Sequence, residues 1–145
     1  MMKVDFTVKE KDGFQTGLFF QIAPFDEATN PNFEKSIVIH EEAFSLIERF
    51  WFEDEHPYAH WGNTYLNLAK MKIIKERLQK FKEKILDSTF LPSQHIHLMF
   101  KGITKEVVEN FESYKNEILK LLSIVIKFLE INIQDKADGI SVYGV

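Results

Sequence analysis

With 145 residues, 45% of them hydrophobic and 28% charged, the chain has the size and composition of one folded domain rather than of a disordered segment. It has no cysteine, which excludes disulfide stapling, Cys-based zinc sites and thiol catalysis and favours a reducing compartment. The net charge of −4 and a pI of about 5.7 set it apart from basic nucleic-acid binders.

The opening residues Met1–Asp5 meet a charge at once and contain no apolar run of the signal-peptide kind. Val4, Phe6 and Val8 then alternate with Lys3, Asp5, Thr7 and Lys9, the pattern of a half-buried strand. Lys11-Asp12-Gly13 supplies a tight turn, and Phe14, Thr16, Leu18, Phe20 and Ile22 return with period 2, so an N-terminal hairpin is expected. Two prolines and two asparagines mark Pro24–Phe33 as a loop, and Ser36–Ile39 reads as a short β-branched strand.

Glu41 and Glu42 suit the positive end of a first helix, with Phe44, Ile47 and Trp51 on its buried stripe and Ala43, Leu46 and Phe50 beside them. Pro57 ends it near Phe52–Asp54. Thr64 is the expected N-cap of a second helix, whose face runs through Leu66, Ala69, Ile73, Leu78, Phe81 and Ile85 to about Leu86. Gln94–Lys101 reads as a strand with His95, His97 and Met99 on one side. Thr104 then caps a third helix, and Val107, Phe111, Tyr114, Ile118, Leu121, Val125 and Phe128 keep its period for about seven turns. Asp135–Gly139 forms a turn and Ile140–Val145 a last strand.

The predicted fold is α+β, in the order βββααβαβ. It is a single mixed, mainly antiparallel sheet, made of the N-terminal hairpin and short strands, with three helices packed on it. One domain spans residues 1–145. The most apolar run, Leu121–Leu129, includes Lys127 and falls well short of the roughly 20 residues a membrane span needs. A cytoplasmic location is expected, with no membrane contact.

Charge is unevenly placed. Between Asp26 and Glu55 nine acids face Lys35 and Arg49, a balance of −7; between Lys70 and Lys84 seven bases face Glu76 and Glu83, a balance of +5. Such asymmetry steers partners more than it stabilises a fold. The lysines of the second helix occupy nearly every non-core position, which describes a solvated helix better than a phosphate-binding track. The six glycines form neither a dinucleotide fingerprint nor a phosphate loop, and no Gly-x-Ser-x-Gly elbow is present. No carboxylate sits alone in an apolar run where burial would raise its pKa; Glu48, flanked by Ile47 and Phe50, comes nearest and is assigned to the exposed side.

Phe50–Trp61 concentrates five aromatics, three consecutive acids and two histidines, including both tryptophans of the chain. His56 and His60 are one helical turn apart, but Pro57 between them argues against continuous helix. Phe50 and Trp51 are claimed by the core stripe. The acidic turn Glu53, Asp54, Glu55 remains, with Tyr58, His60 and Trp61 as contacts and Asp26, Glu27 and the Glu41-Glu42 pair extending the acidic face. Aromatic anchors rimmed by charge are the composition of a protein-recognition surface.

The expected function is non-enzymatic binding of a basic protein partner, with no cofactor. Its most concrete form is a small bacterial immunity protein or inhibitor covering the active site of a nuclease-type toxin. The alternative is a metal-binding protein or metal-dependent hydrolase using His95 and His97, which would share one face of a strand.

Overall fold

The computed structural model describes residues 4–10, 19–26, 30–51, 62–89 and 101–144. Its strands are β1 (Val8–Glu10), β2 (Phe19–Asp26), β3 (Asn30–Pro31), β4 (Ile37–His40), β5 (Gly62–Asn67) and β6 (Gly139–Gly144). Its α-helices are α1 (Glu41–Ser45), α2 (Leu68–Leu86), α3 (Lys101–Glu109) and α4 (Phe111–Gln134), with short 3-10 turns at Phe33–Lys35 and Glu48–Trp51. The strands form one sheet in the order β1-β4-β2-β6-β5, with β3 added to the end of β2. Every described pairing is antiparallel, and the helices pack on the sheet, giving the predicted α+β class.

The N-terminal hairpin is replaced by a different pairing. Strands β1 and β2 do not adjoin; β4 lies between them, with Ile39 opposite both Val8 and Phe20. The reason is burial on two faces. Ile37, Val38 and Ile39 are all shielded from water, which suits an interior strand, whereas Lys9 and Glu10 of β1 are exposed and suit an edge.

The expected loop from Pro24 is also corrected, since β2 continues to Asp26. Proline is tolerated there because the β4 pairing has ended at Ile22. The Pro24 carbonyl accepts the Asn32 N–H at 2.7 Å on that side, so the missing donor costs no ladder bond.

Thr64 does not cap α2. It is a buried residue of β5, a strand that takes the place of the predicted helix start at Leu66. The cap is Asn67, whose side-chain oxygen accepts the Lys70 N–H at 3.0 Å. The buried seam of α2 is Met71, Ile74, Leu78, Phe81 and Ile85, so Ala69 and Ile73 lie outside it.

The third predicted helix is two. Asn110 separates α3 from α4, and α3 starts at Lys101, before Thr104 and within the segment expected as strand. Residues 94–100 of that expected strand lie outside the described residues. The first helix is likewise short: α1 ends at Ser45 and the chain reaches Trp51 through a turn and a 3-10 turn.

The core joins one face of the sheet to the helices. Phe20, Ile22, Ile37, Ile39, Leu66, Ile140 and Val142 share a single buried cluster with α1, α2 and α4. Phe44 of α1 stacks on Phe20 with ring centroids 4.4 Å apart, and Trp51 closes on Phe44 at 5.6 Å. Each such side chain, fully buried, contributes roughly 1.5–3 kcal/mol. The predicted stripe of the C-terminal helices is buried throughout, from Val107 to Phe128. Tyr114 fastens the N-terminal segment to α4: its hydroxyl accepts the Val4 N–H at 3.4 Å and donates to Glu106 at 3.3 Å. Burial, with Glu106 nearby, pushes its phenol above the ordinary value.

Helix α4 ends in a 6→1, 5→2 hydrogen-bond pair, Ala137 N–H to the Asn132 carbonyl and Lys136 N–H to the Ile133 carbonyl. Lys136 occupies the left-handed position of this cap, with φ 59°. The cap turns the chain into β6, the strand that holds the sheet's two halves together.

Candidate functional site

The predicted contact residues fall mostly on one segment. Glu53, Asp54, Glu55, Tyr58, His60 and Trp61 lie outside the described residues, as do Glu27 and the histidines His56, His95 and His97. Asp26 closes β2 opposite Asn30. Both ends of the 52–61 stretch are held. Trp51 is buried before it, with no hydrogen-bond partner for its indole Nε1 among the described residues, and Gly62 opens β5 after it, paired with Gly144. Phe50 and Trp51 belong to the core layer, as expected, with Phe50 against Phe81 at 5.1 Å and the Arg49 guanidinium 4.8 Å above the Phe50 ring.

Glu41 leaves the acidic face. It is only 6% exposed, at the first turn of α1 where the helix dipole favours a carboxylate, while Glu42 beside it is half-buried. His40 pairs with Asp5, Nε2 to Oδ2 at 3.5 Å. Partial burial of the Asp5 carboxyl is outweighed by hydrogen bonds from Thr7 and by the charges of His40 and Lys9, which hold it below its usual range. Among the described residues, no three His, Asp or Glu side chains gather where a metal ion could be held.

The sheet face turned away from the core carries a layer of aromatic rings that periodicity alone did not single out. The register sets Tyr65 of β5, Ser141 of β6 and Ala23 of β2 in one row, with Phe25 and Tyr143 diagonally beside them. Phe25 meets Tyr65 edge-on at 5.7 Å, and Phe33, from the turn before β4, tilts against Tyr143 at 5.3 Å. Phe33 and Tyr65 remain 43% and 41% exposed.

This layer is fixed from below. The Asn32 side chain caps the Phe33–Lys35 turn, and Ser36 Oγ donates to the Phe33 carbonyl at 2.7 Å while accepting from Gln21 Nε2 at 2.8 Å. Phe25 lies over Gly139, where even a methyl group would overlap its ring and the Leu66 carbonyl. Burial, with the Tyr65 hydroxyl nearby, pushes the Tyr143 phenol up. The clue available in the sequence was local alternation: Tyr65 between Thr64 and Leu66, and Tyr143 out of phase with Ile140 and Val142.

A groove of about 240 Å³ adjoins Phe25, lined further by Asn32, Lys35, Asp135, Lys136 and Asp138. Elsewhere, the bases of α2 flank its buried seam on both sides, with Lys72, Lys80 and Lys84 exposed. Lys115 of α4 donates to the Leu86 and Ser88 carbonyls at the end of α2, completing that helix's negative terminus. No described helix is long and apolar enough to cross a membrane. Comparison with protein-family models, curated proteins and solved structures finds no match to this chain.

Proposed function

We propose that the protein is a non-enzymatic binding module for a basic protein partner, most concretely an immunity-type inhibitor that covers the cationic active site of a nuclease-type toxin. The observation that carries this reading is the −7 balance between Asp26 and Glu55. Its described part is borne on short elements, a strand end, two 3-10 turns and the five-residue α1, rather than on a long helix interleaved with lysines; Glu34 is exposed, Glu42 and Glu48 are half-buried and Glu41 is buried. Acids displayed in this way steer a cationic partner and raise its association rate. Glu53, Asp54 and Glu55, with Tyr58, His60, Trp61, Asp26 and Glu27, are the proposed contacts.

The test is charge reversal. A Glu53→Lys, Asp54→Lys, Glu55→Lys variant is expected to lose at least tenfold in association rate with a cationic nuclease domain at low salt, read by surface plasmon resonance. An unchanged rate across a panel of cationic partners would sink the reading.

A further inference from the structure

We infer that the groove between the end of β2 and the C-terminal cap of α4 binds a small zwitterion, namely a free amino acid with an apolar side chain. This site is separate from the proposed protein interface and needs no partner protein.

The groove is built before any ligand arrives. Its two walls are joined where the Asp138 N–H donates to the Phe25 carbonyl at 3.2 Å. Its volume of about 240 Å³ is below the roughly 300 Å³ at which pockets for drug-sized molecules begin, so the ligand is small.

Two residues of the groove are poor choices for the fold alone. Asn132 is 5% exposed and continues the buried stripe after Val125, Phe128 and Leu129, where an apolar side chain would add to the core. Its Nδ2 donates to the Phe128 carbonyl at 2.8 Å, but its Oδ1 enters none of the described hydrogen bonds. That oxygen is not among the side-chain atoms sealed from water, and the open space that Asn132 borders is the groove. An unused acceptor is therefore presented there. Lys136, which also lines the groove, is the one non-glycine residue with positive φ among the described residues. It holds a cap position where glycine would carry no steric penalty.

Charge selects the ligand. The charged residues that line the groove, among those described, are Lys35 and Lys136 with Asp135 and Asp138, a balance of zero. A plain carboxylate would meet the two aspartates, and a plain amine the two lysines. A molecule that carries both charges on neighbouring atoms suits both pairs, and its ammonium supplies the donor that Asn132 Oδ1 lacks. Phe25 and Ala137 add an apolar lining for the side chain.

The experiment titrates the full chain with L-leucine, with isopentylamine, which lacks the carboxylate, and with isocaproate, which lacks the ammonium. Amide chemical shifts follow binding. L-leucine is expected to saturate shifts at Ala137, Asp138 and Gly139 in the millimolar range, and each analogue to bind about tenfold more weakly or worse. Asn132→Leu and Lys136→Gly should each weaken L-leucine about tenfold. Lys136→Gly should also raise Tm by a few degrees, because it removes the left-handed lysine. Loss of binding in a stabilised chain separates a ligand contact from a structural role. The inference is overturned if L-leucine gives no saturable shift, if either analogue binds as tightly, or if both variants keep full affinity. Calcium chloride shifting the same amides and displacing L-leucine would assign the groove to a cation and overturn it as well.

Discussion

The two faces of the sheet are built from the same strands by alternate residues, yet they obey different rules. On the inner face Phe20, Ile22, Leu66, Ile140 and Val142 join one cluster with the helices, and apolar bulk is the common requirement. On the outer face Ala23, Phe25 and Val38 are buried as well, but they are not part of that cluster, and polar groups share the layer: Gln21 with Ser36, and Tyr143 beside Ser141. The inner face is stabilised by volume. The outer face depends on particular shapes, a small residue under a ring and a hydroxyl beside a carbonyl.

The largest test of this contrast is at Gly139. A Gly139→Ala substitution drives its methyl group into the Leu66 carbonyl and the Phe25 ring, and the backbone partner cannot turn aside. The expected loss is upwards of about 4 kcal/mol, from separation of the β5–β6 pair together with displacement of the outer ring. Urea unfolding followed by circular dichroism measures it. A loss below about 1 kcal/mol would show that the outer layer yields easily and is not the fixed platform described above.

Neighbouring residues of β5 give the next largest effect. Leu66 faces the core and Tyr65 the outer layer. Leu66→Ala is expected to cost about 3 kcal/mol, as lost burial plus a residual cavity. Tyr65→Ala should cost less than about 1 kcal/mol, because two-fifths of its surface already meets water. Equal costs in thermal or denaturant unfolding would mean that the outer face is a second core, and the contrast between the faces would fail.

The same contrast explains what could be read before the structure. Periodicity recovered Phe44, Ile47 and Trp51, and the whole stripe from Val107 to Phe128, because residues that share one core repeat at the period of their element. It misplaced the start of α2, where Leu66 and Ala69 satisfy a helical spacing as well as Met71 and Ile74 do. Only the pairing of Leu66 with Ile140 settles that stretch as strand, and this pairing joins residues far apart in the chain. The hairpin failed for the same reason. Asp12-Gly13 is a sound local turn signal, yet the interior position goes to the strand buried on both faces. The aromatic layer was missed because Phe25, Phe33, Tyr65 and Tyr143 come from four segments and meet only in the assembled sheet. The acidic residues Glu53–Glu55 stand out by local density, a property that needs no fold to be seen.

The smallest expected effect lies on the outer side of the N-terminal segment, where Asp5 alternates with the buried Val4 and Phe6. Its carboxyl is held below the usual carboxylate range by Thr7, His40 and Lys9 against the opposing effect of partial burial. A carboxylate whose folded pKa is depressed contributes stability above its unfolded pKa, and loses it as pH falls through the lower folded value. The contribution is therefore complete above about pH 4 and vanishes in stronger acid. Its size is limited by exposure, since the Asp5 side chain is 52% accessible and water screens the pair with His40. A few tenths of a kcal/mol, about the value of an ordinary surface pair, is expected. Asp5→Asn should consequently unfold slightly earlier than the parent chain at pH 6 and together with it near pH 2. A difference that persists unchanged into acid would assign the effect to the side chain's shape rather than its charge. A difference above about 1 kcal/mol at pH 6 would mean that this outer-side contact behaves like the interior.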